Sequence, residues 1–314
     1  MATTAPLEHD LKFPRQSIVA LLLILPAAAL AEMHVVVIEG LGGEPRYTEQ
    51  FGEQVAAIKS AALGLTGNER IRVFRADEVS RDEVLQFFDK LKTGISGSDQ
   101  IALYLIGHGS YDDHEYKFNI RGPDLTGEDI AGMLNSLPSS SQLLVNTSSA
   151  SGALADLAGN DNRTLILATR SGVERHATRF GHYFAAALSD PTADIDKNRI
   201  VSAAEAFSFA ERQVDDYFER HGLLATEHPR MEGDRADRFS VARLGSVRPS
   251  TDDSVLGDLI AERDALNAKI EALRLEQDRM TPQDYRSQLL QNMIGLAETE
   301  EAIEEREREL DLEN

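Results

Sequence analysis

Three short stretches of this chain carry residues whose types and spacing suit chemistry. The first is Gly107-His108-Gly109-Ser110, where a histidine, a base near neutral pH, stands on a tight turn between two residues without side chains. The second is the run of hydroxyls in Thr147-Ser148-Ser149-Ala150-Ser151-Gly152. The third runs from Asp194 to Glu205. It places Asp194, Asp196 and Asn198 at positions 1, 3 and 5 of a calcium loop of EF-hand type, with the Ile200 carbonyl at 7, Ser202 at 9 and Glu205 at 12. Position 6, normally glycine, is Arg199, which demands a left-handed backbone or a different loop path. Ser202 and Glu205 equally suit a helix capping box with the aspartates solvated, and the sequence leaves both readings open.

The chain contains no cysteine, so it has no disulfide, thiolate ligand or thiol nucleophile, and covalent chemistry falls to hydroxyl, carboxylate, amine or imidazole groups. Its net charge of -21 argues against an extended phosphate-tracking surface, and nucleic acid is not expected as a partner. An apolar content of 42% over 314 residues is enough for one well-buried domain and an appendage.

The elements that must position these residues are legible as alternating patterns. Runs rich in β-branched residues at 34–38, 70–74, 100–106, 142–146 and 164–168 read as strands. Amphipathic stretches near 49–62, 81–91, 127–137 and 178–188 read as helices between them. Strand and helix repeated in this order predict an α/β fold, a mainly parallel sheet with helices on both faces. Residues 114–120 read as a small hairpin or edge strand. In such sheets the loops at the carboxyl ends of the strands carry the site, which is where the His108 and Ser149 stretches fall. Gly40-Leu41-Gly42-Gly43 reads as a turn bordering the same place, because it lacks the spacing and lysine of a phosphate loop.

Ile106-Gly107-His108-Gly109-Ser110 after an apolar strand, Asp124-Leu125-Thr126-Gly127-Glu128-Asp129-Ile130 entering the next helix, and Ser151-Gly152 after the following strand resemble the legumain-like (C13) peptidases of the caspase-like group. The resemblance covers roughly residues 35–220. It implies a caspase-like sheet, His108 as the catalytic histidine, and the nucleophilic cysteine's position at Ser149. It also implies an oxyanion hole formed by the backbone amides of Gly109 and Ser149. The departure is the serine: a hydroxyl needs a well-placed base and usually a third orienting group, which a thiol can do without. Asp112 and Asp113 lie near in sequence but equally suit a solvated turn. After the fifth strand, Arg170, Ser171 and Glu174 occupy the loop where such enzymes build a specificity pocket. There Arg170 and Glu174 either read a charged or amide side chain or pair with each other on the surface.

Residues 1–31 resemble an export signal: Lys12 and Arg15 precede the apolar run 18–25, Pro26 breaks it, and Ala29-Leu30-Ala31 offers a cleavage site. Cleavage implies a periplasmic or secreted protein. An uncleaved segment implies a membrane anchor, although the apolar run is shorter than the roughly 20 residues that span a bilayer. The peptidase-like domain is expected over 32–244, a linker over 245–253, and a helical hairpin or coiled coil over 254–314. In that last region Leu289, Leu296, Ile303 and Leu310 recur every seven residues and Pro282 opens the second helix. The leading functional expectation is an exported, catalytically impaired peptidase-fold protein that binds peptide or protein at the strand ends. The alternatives are a working hydrolase using Ser149 with His108, and a structural coiled-coil protein. No cofactor is required, calcium at 194–205 is a candidate ligand, and the coiled coil offers a route to a homo-oligomer.

Overall fold

The structure, a computed structural model, describes residues 31–244, 253–277 and 280–313. Residues 1–30 of the stretch expected to be an export signal, and residues 245–252 of the expected linker, lie outside the described residues. A six-stranded sheet forms the centre. Its strands are β1 (Met33–Glu39), β2 (Ile71–Phe74), β3 (Gln100–Ile106), β7 (Ser141–Asn146), β8 (Arg163–Leu167) and β10 (Arg230–Glu232), in the order β10-β8-β7-β3-β1-β2. Every neighbouring pair is parallel except β10 with β8. All five expected strands are present to within a residue at most ends.

The sheet is parallel because its strands are apolar on both sides. In β3, Ala102, Tyr104 and Ile106 join one core, whereas Ile101, Leu103 and Leu105 join the other. The first core is closed by α1 (Pro45–Leu63), α5 (Phe180–Ala187) and α6 (Ala203–His221), through Phe51, Val55, Phe184 and Phe207 among others. The second is closed by α2 (Arg81–Gly94), α3 (Gly127–Asn135) and the short α4 (Ala155–Ala158), through Val84, Phe88, Ile130 and Leu134. Reciprocal capping boxes start α2 at Ser80 with Glu83, α3 at Thr126 with Asp129 and α6 at Ser202 with Glu205.

The expected hairpin is a small three-stranded sheet of β4 (Gly109–Tyr111), β5 (Tyr116–Phe118) and β6 (Leu125–Thr126). Its turn is made by Asp112, whose carboxylate accepts from the amides of His114 and Glu115 at 3.1 and 2.8 Å, while Asp113 takes the left-handed backbone at φ 73°. A two-stranded pair, β9 (Ile200–Ser202) with β11 (Ser240–Arg243), completes the domain.

Beyond it, α7 (Ser254–Glu276) and α8 (Pro282–Glu313) pack as an antiparallel hairpin with a core of its own, built from Leu256, Ile260 and Ile303. Asp253 caps α7 by accepting from the Leu256 amide at 2.7 Å, and Arg306 of α8 reaches the same carboxylate at 2.7 Å, which ties the two ends together. No helix among the described residues is long and apolar enough to cross a membrane.

Candidate functional site

The sheet brings the first two stretches together. The β3–β7 ladder ends with Leu105 paired to Asn146, so the turns that carry His108 and Ser149 leave neighbouring strand ends. The two turns touch: a Cβ at Gly109 would stand 2.5 Å from Ser148 Oγ, 2.6 Å from Tyr116 Oη and 2.7 Å from the Ser149 carbonyl. A Cβ at Gly107 would stand 2.8 Å from the Phe118 ring and 2.9 Å from Gly40 Cα. The glycines flanking His108 therefore serve close packing of backbone on backbone, because neither has positive φ.

The side chains leave this junction in different directions. The half-buried His108 ring turns toward α1, where it meets Tyr47 and Phe51 edge-on at 4.6 and 5.0 Å between centroids. Its Nε2 lies 3.3 Å from the Gly42 carbonyl, so the glycine turn does border the site. Burial pushes the imidazole below its ordinary range, outweighing the Gly42 contact and Glu44, and the ring is neutral at pH 7. Ser149, 4% exposed, points its hydroxyl at the His176 carbonyl and donates to it at 2.8 Å. The next residue, Ala150, is wholly buried in the left-handed region at φ 56°, a strained conformation for a residue with a side chain. Beneath them Asn146 Nδ2 donates to Tyr116 Oη at 2.9 Å, and that hydroxyl bonds Ser148 Oγ at 2.6 Å, a satisfied buried network that fixes the turn.

Residues 169–178 form a strap across this junction. The Ala150 amide donates to the Glu174 carbonyl at 2.8 Å, and the Gly152 amide donates to Thr169 Oγ1 at 2.9 Å. The Glu174 carboxylate holds the strap's own shape, accepting from the amides of Arg170 (3.0 Å) and His228 (3.1 Å) and from the His228 ring at 2.8 Å. Arg170 and Glu174 thus meet through backbone rather than as a side-chain pair; Arg170 is exposed, and Ser171 lies against Gly152. Arg175 ties the strap to Asp113 at 2.8 Å. Asp112 and Asp113 are accordingly spent on the turn and the strap. Where the strap enters α5, the buried Glu227 accepts from the Arg179 amide at 2.8 and 3.0 Å and from the Phe180 amide at 3.2 Å. Burial pushes its carboxyl up to about 7, against the pull of those amides and of the Arg179 charge.

At the third stretch, one oxygen each from Asp194, Asp196 and Glu205 lies within 4.8 Å of the others. Arg199 takes the left-handed backbone at φ 64°, the conformation that a calcium loop asks of position 6. The capping box is also present: Glu205 Oε2 accepts from the Ser202 amide and hydroxyl at 2.9 and 2.8 Å, and Oε1 from the Ile195 amide at 2.9 Å. Asn198 Oδ1 accepts from the Ile200 amide at 2.7 Å, and Asp194 accepts from the amides of Asn198 and Arg199 at 3.1 and 2.9 Å. Burial, with the neighbouring Glu205 charge, raises the Asp196 carboxyl above its usual range. The loop faces the hairpin: Arg199 meets Glu300 at 3.3 Å, and Asp196 meets Arg274 at 3.8 Å.

The contributions of Tyr47 and Phe51, the Tyr116–Ser148 bond, the His176 carbonyl, and the Glu174–His228 and Glu227 anchors emerge only in the fold. The spacing of Tyr47 and Phe51, one helical turn apart at the start of the first helix, was the available signal for the histidine's packing. No known family and no curated protein matches the chain. Among solved structures, the chain is similar to protein GSU0716 from Geobacter sulfurreducens, with a TM-score of 0.44 and 11% identity over 68% of this chain and 99% of that one.

Proposed function

We propose that this chain is an exported protein with a legumain-type peptidase fold that binds peptide or protein at the carboxyl ends of its sheet and does not cleave it. One observation carries the reading: the hydroxyl at the nucleophile position donates to the His176 carbonyl beneath the strap, while the histidine ring packs toward α1. A hydroxyl becomes a nucleophile only when a base takes its proton, and here that proton is held by a carbonyl with no basic character. No carboxylate among the described residues is hydrogen-bonded to His108, so the third member of a serine triad has no counterpart. What persists is a neutral imidazole, two adjoining strand-end turns and a strap with hydrogen-bonding backbone, features suited to holding an extended peptide.

Incubated with a mixed peptide library, the chain is expected to retain a subset of peptides and leave them uncut, and a fluorophosphonate probe is expected to leave Ser149 unlabelled. Turnover that disappears in Ser149→Ala contradicts the proposal and identifies a working serine hydrolase.

We propose in addition that the loop from Asp194 to Glu205 takes a calcium ion through Asp194, Asp196, Asn198, the Ile200 carbonyl and Glu205. The convergence of three carboxylates and the left-handed Arg199 support this reading. Millimolar calcium is expected to raise the melting temperature by several degrees, magnesium less, and Glu205→Gln is expected to remove the rise. Equal shifts in the parent and Glu205→Gln leave only the helix cap.

A further inference from the structure

We propose that the outer stripe of α8 docks antiparallel against the same stripe of a second copy, so that the chain dimerises through its C-terminal hairpin. The helix carries two apolar faces. One, with Leu296 and Ile303 buried, lies on α7. The other lies about a third of a turn round the helix. It carries Leu290, Met293 and Ile294, which are 61%, 42% and 50% exposed, followed by the exposed Ala297. The spacing 290, 293, 294, 297 is that of a helix face that packs on another helix, and nothing in the described chain covers it.

Charge identifies the occupant. Residues 287–297 bear no charge at all in a chain of net charge -21, and the stripe is bounded by Arg286 one turn before Leu290 and by Glu301 one turn after Ala297, both exposed. A two-fold axis between Met293 and Ile294, perpendicular to the helix, sets Met293 against Ile294, Leu290 against Ala297 and Arg286 against Glu301, each contact occurring twice. A parallel arrangement would set Arg286 on Arg286 and Glu301 on Glu301, which like-charge repulsion disfavours. Membrane-surface helices carry Lys and Arg on the polar face, whereas this one ends in Glu298, Glu300, Glu301, Glu304 and Glu305. Two hairpins joined this way make a four-helix arrangement in which each α8 packs on its own α7 and on its copy.

The test is the mass of the full chain by light scattering and sedimentation. A two-chain mass is expected at about 100 μM, falling to one chain in Leu290→Glu/Ile294→Glu with the thermal unfolding of the sheet domain unchanged. Arg286→Glu and Glu301→Arg are each expected to weaken association about tenfold, and the two together to restore it. Because the chain has no cysteine, single replacements report the geometry. Met293→Cys should cross-link to its copy under mild oxidation, whereas Leu290→Cys should not, since the two-fold separates it from its copy by about 10 Å along the axis. A one-chain mass at this concentration, a dimer that survives Leu290→Glu/Ile294→Glu, or cross-linking through Leu290→Cys as fast as through Met293→Cys overturns the proposal.

Discussion

Gly152→Ala is expected to destabilise the chain by about 3 kcal/mol and to free the strap. The added Cβ would stand 2.2 Å from the Ser171 amide nitrogen and 2.3 Å from the Arg170 carbonyl carbon, and these are backbone atoms that no rotamer change can move. Relief requires the strap to lift. That breaks the Gly152–Thr169 and Ala150–Glu174 bonds and withdraws the His176 carbonyl from Ser149. Urea midpoints should fall, and limited proteolysis should begin to nick residues 170–178. Gly52→Ala is the matched control: this glycine lies in α1 with nothing within 4 Å of the added carbon, and alanine there should stabilise by about 1 kcal/mol. Equal midpoints for Gly152→Ala and the parent would show that the strap is not clamped at this point.

The second large effect is a dependence on pH governed by Glu227. Its folded carboxyl is pushed by burial from the ordinary 4.5 to about 7. Between those values the unfolded chain releases a proton that the folded chain keeps, so this group's contribution to stability falls as pH rises through the window. The loss is on the order of 3 kcal/mol once pH 8 is reached. Glu227→Gln keeps an oxygen for the Arg179 and Phe180 amides but cannot ionise. Its stability should match the parent's near pH 5 and exceed it at pH 8, whereas Glu227→Ala should lose stability at both by orphaning those amides. His108, held below 6.5 by burial, acts in the opposite sense: its contribution is present above 6.5 and is lost as pH falls through its lowered value. The difference between parent and Glu227→Gln cancels that effect. A difference that does not change between pH 5 and pH 8 would mean that Glu227 is already ionised in the folded chain throughout.

The parallel sheet was legible because its strands announce themselves: Val35–Ile38 and Leu103–Ile106 are apolar on both faces, and only strands covered on both sides tolerate that. The helix starts near 81 and 127 were legible from their amphipathic pattern, and the Ser202–Glu205 capping box from a hydroxyl three residues before an acid. The strand β10 was not, since Arg-Met-Glu at an edge carries no alternation, and its place is fixed by pairing with Leu165–Leu167. The pair β9–β11 was hidden in the same way, its first strand lying inside the calcium-loop pattern. At the site, sequence placed His108 and Ser149 at adjoining strand ends, because parallel register is set by the strands themselves. Where the two side chains point was not legible. The His108 ring direction is set by Tyr47 and Phe51 from an earlier helix, and the Ser149 hydroxyl by a carbonyl in the strap. For the same reason Glu174, read as a ligand-facing or paired acid, is an internal anchor whose partner His228 lies 54 residues away.

The central proposal is that the two strand ends keep the backbone of a cysteine-peptidase site, in which a thiol at position 149 would reach His108 although the serine hydroxyl turns to the His176 carbonyl. The measurement that addresses it most directly is the rate at which Ser149→Cys reacts with a thiol-reactive peptide probe, in a chain with no other cysteine. A thiol bonds a carbonyl more weakly than a hydroxyl does and is freer to leave the His176 carbonyl for His108, whose burial favours the neutral imidazole. Labelling at position 149 is expected to be at least about tenfold faster than at a surface thiol, with the excess lost when His108→Ala is added. Labelling no faster than a surface thiol, or equally fast with and without His108, would contradict it.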